Sequence, residues 1–240
     1  MIARNEAPRL EAAIASVRAV ADEIIVTDTG STDGTPELAA RLGARVHHFE
    51  WCDDFAAARN ACHAHAKGEW ILWLDADERL KAGSDELVRR AIGDGSTMAW
   101  QVIREDFFAH DRADWFSEMY QLRLVRRDLP CRWIGRIHEH LAPAPTDLVQ
   151  RLRKSVRISQ IRLQHWGYTS ERMPEKTRRA AHLCELELAE RPGQLYYLVE
   201  LSRALLTLND RRGVEVLGDA ARIMMAARHA QRPPSPLAAM

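Results

Sequence analysis

The spacing of apolar positions changes period repeatedly along the chain. In residues 8–20, PRLEAAIASVRAV, Leu10, Ile14 and Val17 fall on one helical face. DEIIVTD (22–28) is a short β-branched run that ends at Asp28 before the turn-rich TGSTDG. Thr35 and Pro36 then predict a helix start, with Thr35 as N-cap, and Gly43 its stop. ARVHHF (44–49) reads as a strand and DDFAAARNACHAHA (53–66) as a helix with acidic residues in its first turn. EWILWLD (69–75) is apolar on both faces, as a central parallel strand requires. Helices alternating with short strands predict an α/β layer whose ligands lie at the strands' C-terminal edge.

The second half has a different rhythm. TMAWQVIRE (97–105), YQLRLVRR (120–127) and VRISQIRLQHW (156–166) alternate apolar and polar residues, the mark of antiparallel or mixed additions to the sheet. From Glu171 strands vanish, and residues 171–190, 193–209 and 212–229 read as three helices. Pro192, Tyr196, Tyr197 and Leu201 faintly match a tetratricopeptide (TPR) spacing, and a helical cap docked on the sheet is the alternative. The division expected is 1–168 as an α/β domain, 169–230 as an all-α extension and 231–240 as a flexible tail. The chain opens on MIARNE, so the first strand has at most three residues; either upstream residues are missing or that strand is a stub.

Composition narrows the class. Lysines and arginines number 34, as do aspartates and glutamates, so no whole-chain field favours nucleic acid or an anionic membrane. The basic stretches RLRKSVR (151–157) and KTRRAAH (176–182) read as solvated faces. Cys52, Cys62, Cys131 and Cys184 lack zinc spacing and CxxC, which fits reduced cytosolic thiols. No apolar run approaches the roughly 18 residues of a membrane span, so the expectation is a cytoplasmic protein.

The chemistry concentrates at ILWLDADERL (71–80), where an apolar run meets Asp75, Asp77 and Glu78, three carboxylates in four positions. Clustered carboxylates repel unless they face water or something positive neutralises them. A divalent cation held by one or two carboxylates and a ligand's phosphates would do so. A solvated turn of helix-capping acids is the plain alternative, and a lone DxD pair does not decide between them.

Context does more. The blocks MIARNEAPRLEAAIASV, DEIIVTDTGSTDGT, FEWCDDFAAARNACHAHAKGEWILWLDADE, RLVRRDLPCRWIGRIHEHL and LQHWGY, in this order from Met1 to about Tyr168, resemble the inverting family 2 glycosyltransferases of the GT-A fold. The likeness is to bacterial members with a helical C-terminal extension. It implies a GT-A-like α/β fold, a mixed and mostly parallel sheet flanked by helices, with an all-α extension. It also implies a nucleotide-sugar donor, usually a UDP-sugar, an acceptor of unknown class and a divalent cation, Mn2+ or Mg2+. Position by position, the resemblance gives Asn5, Glu6, Asp28, Arg59, Asn60 and Asp75 to the nucleotide and Asp77 to the cation. It gives His165 to the metal or diphosphate site, and Glu139, in GRIHEHL, the part of the base that takes the acceptor's proton. Plain structural roles compete at each: a turn-forming Asp28, a helix-surface Arg59 and Asn60, a Glu139 paired with Arg136, a merely hydrogen-bonded His165. Trp133 and Trp166 fit either a sugar face or the core.

Rival readings fit less well. A haloacid-dehalogenase-type phosphotransferase wants Thr or Val two residues after the second Asp, where Arg79 stands. A dinucleotide oxidoreductase needs a glycine-rich turn after its first strand, and a nucleotidyltransferase a glycine- and basic-rich N-terminal loop; MIARNEA has neither. A non-enzymatic reading keeps the fold as an inactive transferase-like domain whose helices bind a protein partner.

Overall fold

The computed structural model describes residues 1–109, 114–167 and 173–229. The chain divides into two compact units, one of Met1–Cys52, Ala56–Ile134 and His140–Ser170, the other of Asp53–Phe55, Gly135–Glu139 and Glu171–Met240. The tail expected at 231–240, and the boundary placed at 168, lie outside the described residues.

In the first unit, β1 (Ile2–Ala3), β2 (Ile25–Asp28) and β3 (Arg45–His48) form an all-parallel sheet in the order β1-β2-β3. β2 is buried at all four residues. Helix α1 (Ala7–Val17) buries Leu10, Ala13, Ile14 and Val17, one stripe at helical spacing, and a proline in its first turn supplies a preset φ. Helix α2 (Thr35–Arg41) starts one residue earlier than its sequence suggests: Gly34, at φ 82°, is the N-cap, and Thr35 is fully buried inside the first turn. Its hydroxyl accepts the Glu6 N–H (2.9 Å) and donates to Asp33 (2.5 Å).

Beyond α3 (Phe55–His65), a second sheet of five strands has the order β4-β7-β6-β10-β5, from β4 (Trp70–Leu72), β5 (Glu78–Leu80), β6 (Thr97–Phe107), β7 (Phe116–Arg126) and β10 (Ser155–His165). It is mixed: β6 and β10 run parallel, while β6–β7, β4–β7 and β5–β10 are antiparallel. The run 69–75 is therefore a three-residue antiparallel strand at one end of a sheet, not a central parallel one. Its apolar residues are buried by packing: Trp73 and Leu74, just past β4, enter two adjoining clusters. One cluster joins α1 and α4 (Ser84–Gly93) to the sheet through Val17, Val88, Val102, Leu124 and Ile161; each such side chain stabilises by about 1.5–3 kcal/mol on burial. The hairpin β8 (Arg132–Ile134) and β9 (His140–Ala142), and the short helix α5 (Val149–Leu152), complete the elements.

In the second unit, helices α6 (Met173–Glu190), α7 (Leu195–Thr207) and α8 (Arg212–His229) pack through Ala181, Cys184, Tyr197, Leu201 and Leu205. α7 and α8 approach closely at Gly213, where a Cβ would lie 2.8 Å from Leu206 Cγ and 3.0 Å from the Ser202 carbonyl. Ser202 Oγ donates to the Gly213 carbonyl at 2.7 Å. No helix among the described residues is long and apolar enough to cross a membrane.

Candidate active site

Strand register assembles the site. His165, at the end of β10, faces Glu78 on β5 and Asp106 on β6. Residues two apart on a strand share a face, so Arg104 joins Asp106. The stretch Asp75–Glu78 enters the same region from β4. What results is a row of alternating charge. Asp75 bridges Arg59 (3.1 Å) and Arg123 (3.0 Å). Arg123 also binds Glu78 (2.7 Å), whose other oxygen accepts the Asp75 N–H (2.9 Å). Arg104 stands 3.9 Å from Glu78 and binds Asp106 through two nitrogens, at 2.7 and 2.9 Å. Asp106 pairs with His165 Nδ1 at 2.7 Å, and His165 Nε2 lies 3.5 Å from Asp77.

This row answers why three carboxylates crowd four positions. Two of them, Asp75 and Glu78, lie directly against arginines, which the sequence alone did not foresee. Burial raises the Asp75 pKa, but Arg123 and Arg59 outweigh it and hold the carboxyl well below its ordinary range. Glu78, fully buried, goes the other way: desolvation dominates, and the neighbouring Asp75 charge adds to it against Arg123. For His165, burial favours the neutral ring, yet its bonds to Asp106 and Asp77 prevail and lift it to about 9.

Asp77 occupies a different setting. It lines an open pocket of about 270 Å³ with Arg9, Ala76, Arg79 and Trp166. The Arg79 guanidinium lies over the Trp166 ring at 4.7 Å, and Phe107 stacks on that ring at 5.0 Å. Gly167 lies tight against Asp77 and His165: a Cβ there would fall 2.2 Å from His165 Nε2 and 2.7 Å from Asp77 Oδ2. Only a glycine lets His165 and Asp77 face each other. An oxygen and an imidazole nitrogen 3.5 Å apart suit two adjacent ligand positions on one small divalent ion. Among the described residues, no group of three or more such side chains forms a self-sufficient metal cage. A pair of protein donors is what an ion shared with a diphosphate needs.

The other expected residues fall at the first sheet's rim or on α3. Asp28 is buried, and its carboxylate accepts the N–H groups of Gly30 (3.1 Å) and Ser31 (3.2 Å). Asn5, at φ 55°, accepts the Thr32 N–H through its side chain (2.8 Å), tying the loop after β1 to the loop after β2. Glu6 pairs with Arg9 at 3.3 Å. On α3, Arg59 is sandwiched 5.2 Å from both the Trp73 and Trp133 rings, so Trp133 belongs to the core. Asn60 both donates to and accepts from the Trp133 backbone (2.9 Å each). Glu139 belongs to the second unit, in the five residues between β8 and β9.

Sequence reasoning passed over Arg104, Asp106, Arg123 and Gly167. Signals existed for three of them. Arg104 and Asp106 belong to a run of three charges, residues 104–106, toward the end of β6, and Arg123 is a charge between Leu122 and Leu124 in β7. Gly167 sits within the LQHWGY block, but nothing in the sequence shows that it faces His165.

Comparison with known proteins places the chain in a family. The profile of Glycosyl transferase family 2 matches residues 1–154. A TPR repeat-containing protein of Synechococcus elongatus is 34% identical over 220 residues, covering 90% of this chain and 53% of its own length. An uncharacterized glycosyltransferase of Rickettsia bellii is 43% identical over 88 residues, 36% of this chain and 30% of its own. The glycosyltransferase SunS of Bacillus subtilis is 24% identical over 222 residues, 90% of this chain and 51% of its own. The chain thus spans about half the length of the curated relatives it matches end to end. Among solved structures, glucosyl-3-phosphoglycerate synthase from Mycobacterium tuberculosis superposes with a TM-score of 0.53 at 17% identity, over 78% of this chain and 77% of that one. Mannosyl-3-phosphoglycerate synthase from Rubrobacter xylanophilus gives 0.51 at 14% identity, over 79% and 72%. These likenesses show the fold. With the family profile covering well over half of its residues, the chain belongs to glycosyl transferase family 2.

Proposed function

We propose that this chain moves a sugar from a nucleotide-sugar donor, most simply a UDP-sugar, to an acceptor hydroxyl or thiol with inversion, in a metal-dependent reaction. The observation that carries the reading is the facing pair Asp77 and His165, 3.5 Å apart, with Asp77 lining a pocket that also holds Arg9 and Arg79. Asp77 and His165 would hold the cation, which when bound supplies charge neutralisation to the departing nucleoside diphosphate. Arg9 and Arg79 add fixed positive charge at the same pocket, where negative charge develops on the leaving group. Asn5, Glu6, Asp28, Arg59, Asn60 and Asp75 keep the nucleotide-binding parts that the sequence resemblance gives them. Glu139 takes the acceptor's proton. The four cysteines are unpaired thiols, which supports a cytoplasmic site of action.

The test is calorimetry with UDP-, GDP- and dTDP-sugars, with and without Mn2+. The parent should bind one donor class more tightly with the ion, and Asp77→Ala should lose that gain. Equal metal-dependent affinity in parent and variant removes Asp77 and His165 from the metal site.

A further inference from the structure

The five residues Gly135–Glu139 carry the proposed base, yet they belong with the helices. Three consecutive residues of the segment are gripped by helix side chains. The Arg136 N–H donates to Glu187 Oε2 at 3.0 Å. The Ile137 carbonyl accepts the Tyr197 hydroxyl at 3.0 Å. His138 Nε2 stands 3.4 Å from Glu200, its ring edge-on to Tyr196 at 5.4 Å. Ile137 itself packs into the cluster of Cys184, Tyr197 and Leu201. The Phe55 N–H donates to the Arg136 carbonyl at 2.9 Å, and the Arg136 guanidinium reaches the Asp53 carbonyl and Glu190.

Both helix partners are committed to this task. Glu187 is fully buried, and its remaining bonds run to Gln194 and Arg191 beside it. Tyr197 is 1% exposed, so burying its hydroxyl requires the carbonyl it meets. The segment in turn needs outside support. Gly135 is at φ 95° and His138 at φ 53°, left-handed conformations that persist where surroundings over-determine them. The fit leaves no slack: a Cβ on Gly135 would lie 2.6 Å from the Tyr197 hydroxyl oxygen.

We propose that the helical unit is a holder for the segment Gly135–Glu139, with Tyr197 and Glu187 as positioning residues for the proton transfer at Glu139. This rests on the reading of Glu139 as base given above. In that step the acceptor's oxygen or sulfur bonds to the anomeric carbon as the bond to the diphosphate oxygen breaks. The diphosphate leaves with the electron pair, and the acceptor's proton passes to the Glu139 carboxylate. A base that takes a proton in flight must be fixed to within about half an ångström. Side-chain clamps on its backbone supply that.

The experiment pairs hydrogen exchange with steady-state release of nucleoside diphosphate from UDP-, GDP- and dTDP-sugars in Mn2+. Tyr197→Phe removes one hydroxyl and keeps the ring. Amide exchange across 135–139 should accelerate about tenfold, the scale of one hydrogen bond, and kcat should fall about tenfold with donor KM unchanged. Ser202→Ala, which deletes a bond inside the α7–α8 contact, should lower the melting temperature and change neither readout. Unchanged exchange in Tyr197→Phe, faster exchange with unchanged kcat, or the same two effects in Ser202→Ala would each overturn the proposal. Unchanged turnover in Glu139→Gln, or no release from any donor by the parent, would instead overturn the function proposed above, leaving the exchange result to stand on its own.

Discussion

Asp28 and Asp77 invite comparison: each lies at or just past the C-terminal end of a short strand, in the same domain, at the edge where α/β folds place ligands. Their surroundings differ. Asp28 meets two backbone N–H groups from its own turn and stands 3.6 Å from His48. Asp77 meets a histidine brought in from β10 and lines a pocket with two arginines. The first carboxylate is positioned by residues two and three places away in sequence, the second by strands that arrive nearly ninety residues later. Local chemistry builds a turn; long-range register builds a site.

Arg123→Met tests the long-range side hardest. It strands Glu78, which is fully buried, and one side of Asp75. Breaking a buried pair this way costs about 3–5 kcal/mol, which for a chain of this size is a drop of roughly 10 °C in melting temperature. Urea denaturation should register the same loss. A change under 1 kcal/mol would mean the row is decoration.

His165 gives a pH signature. Its folded pKa, about 9, is raised above the ordinary 6.5. Its contribution is therefore fully present below pH 6.5 and is lost as pH rises through 9, in total about 3 kcal/mol at one unit per 1.36 kcal/mol. Stability measured in chelator from pH 6 to 10 should fall in the parent and stay flatter in His165→Gln.

Gly167→Ala isolates the geometry. The added methyl collides with both His165 and Asp77, so Mn2+-dependent donor affinity should fall about 100-fold, the upper end for disturbed metal surroundings. Donor binding without metal should move little. The smallest effect is reserved for the local side. Asp28→Asn keeps an acceptor for the turn and should cost about 1 kcal/mol. A loss of donor affinity well beyond that would show that Asp28 serves the nucleotide as well as its turn.

Much of the fold could be read in advance where apolar runs are bounded by turn residues. Helices α1, α2 and α3 and the three of the second unit follow from period and punctuation, and α8 begins and ends where its pattern does. β5 could not be read, because three residues inside a carboxylate-rich stretch have no period; it exists only as the antiparallel partner of β10. The same limit governs the site. The cluster at Asp75–Glu78 was plain in the sequence, but its neutralising arginines lie 16 and 48 residues from Asp75 and were not. Nor could spacing show that Gly135–Glu139 joins the helices, since that depends on Glu187 and Tyr197, some 50 to 60 positions downstream.

The alternating row from Arg59 to Asp77 has a bearing on redesign. Every interior member serves two neighbours, so changes along it will not add: a swap at Asp106 alters what a swap at Arg123 does, though the two never touch. Anyone redesigning this region should treat the row as a single component, exchanged whole or left alone, and look for freedom at Arg9 and Arg79 instead.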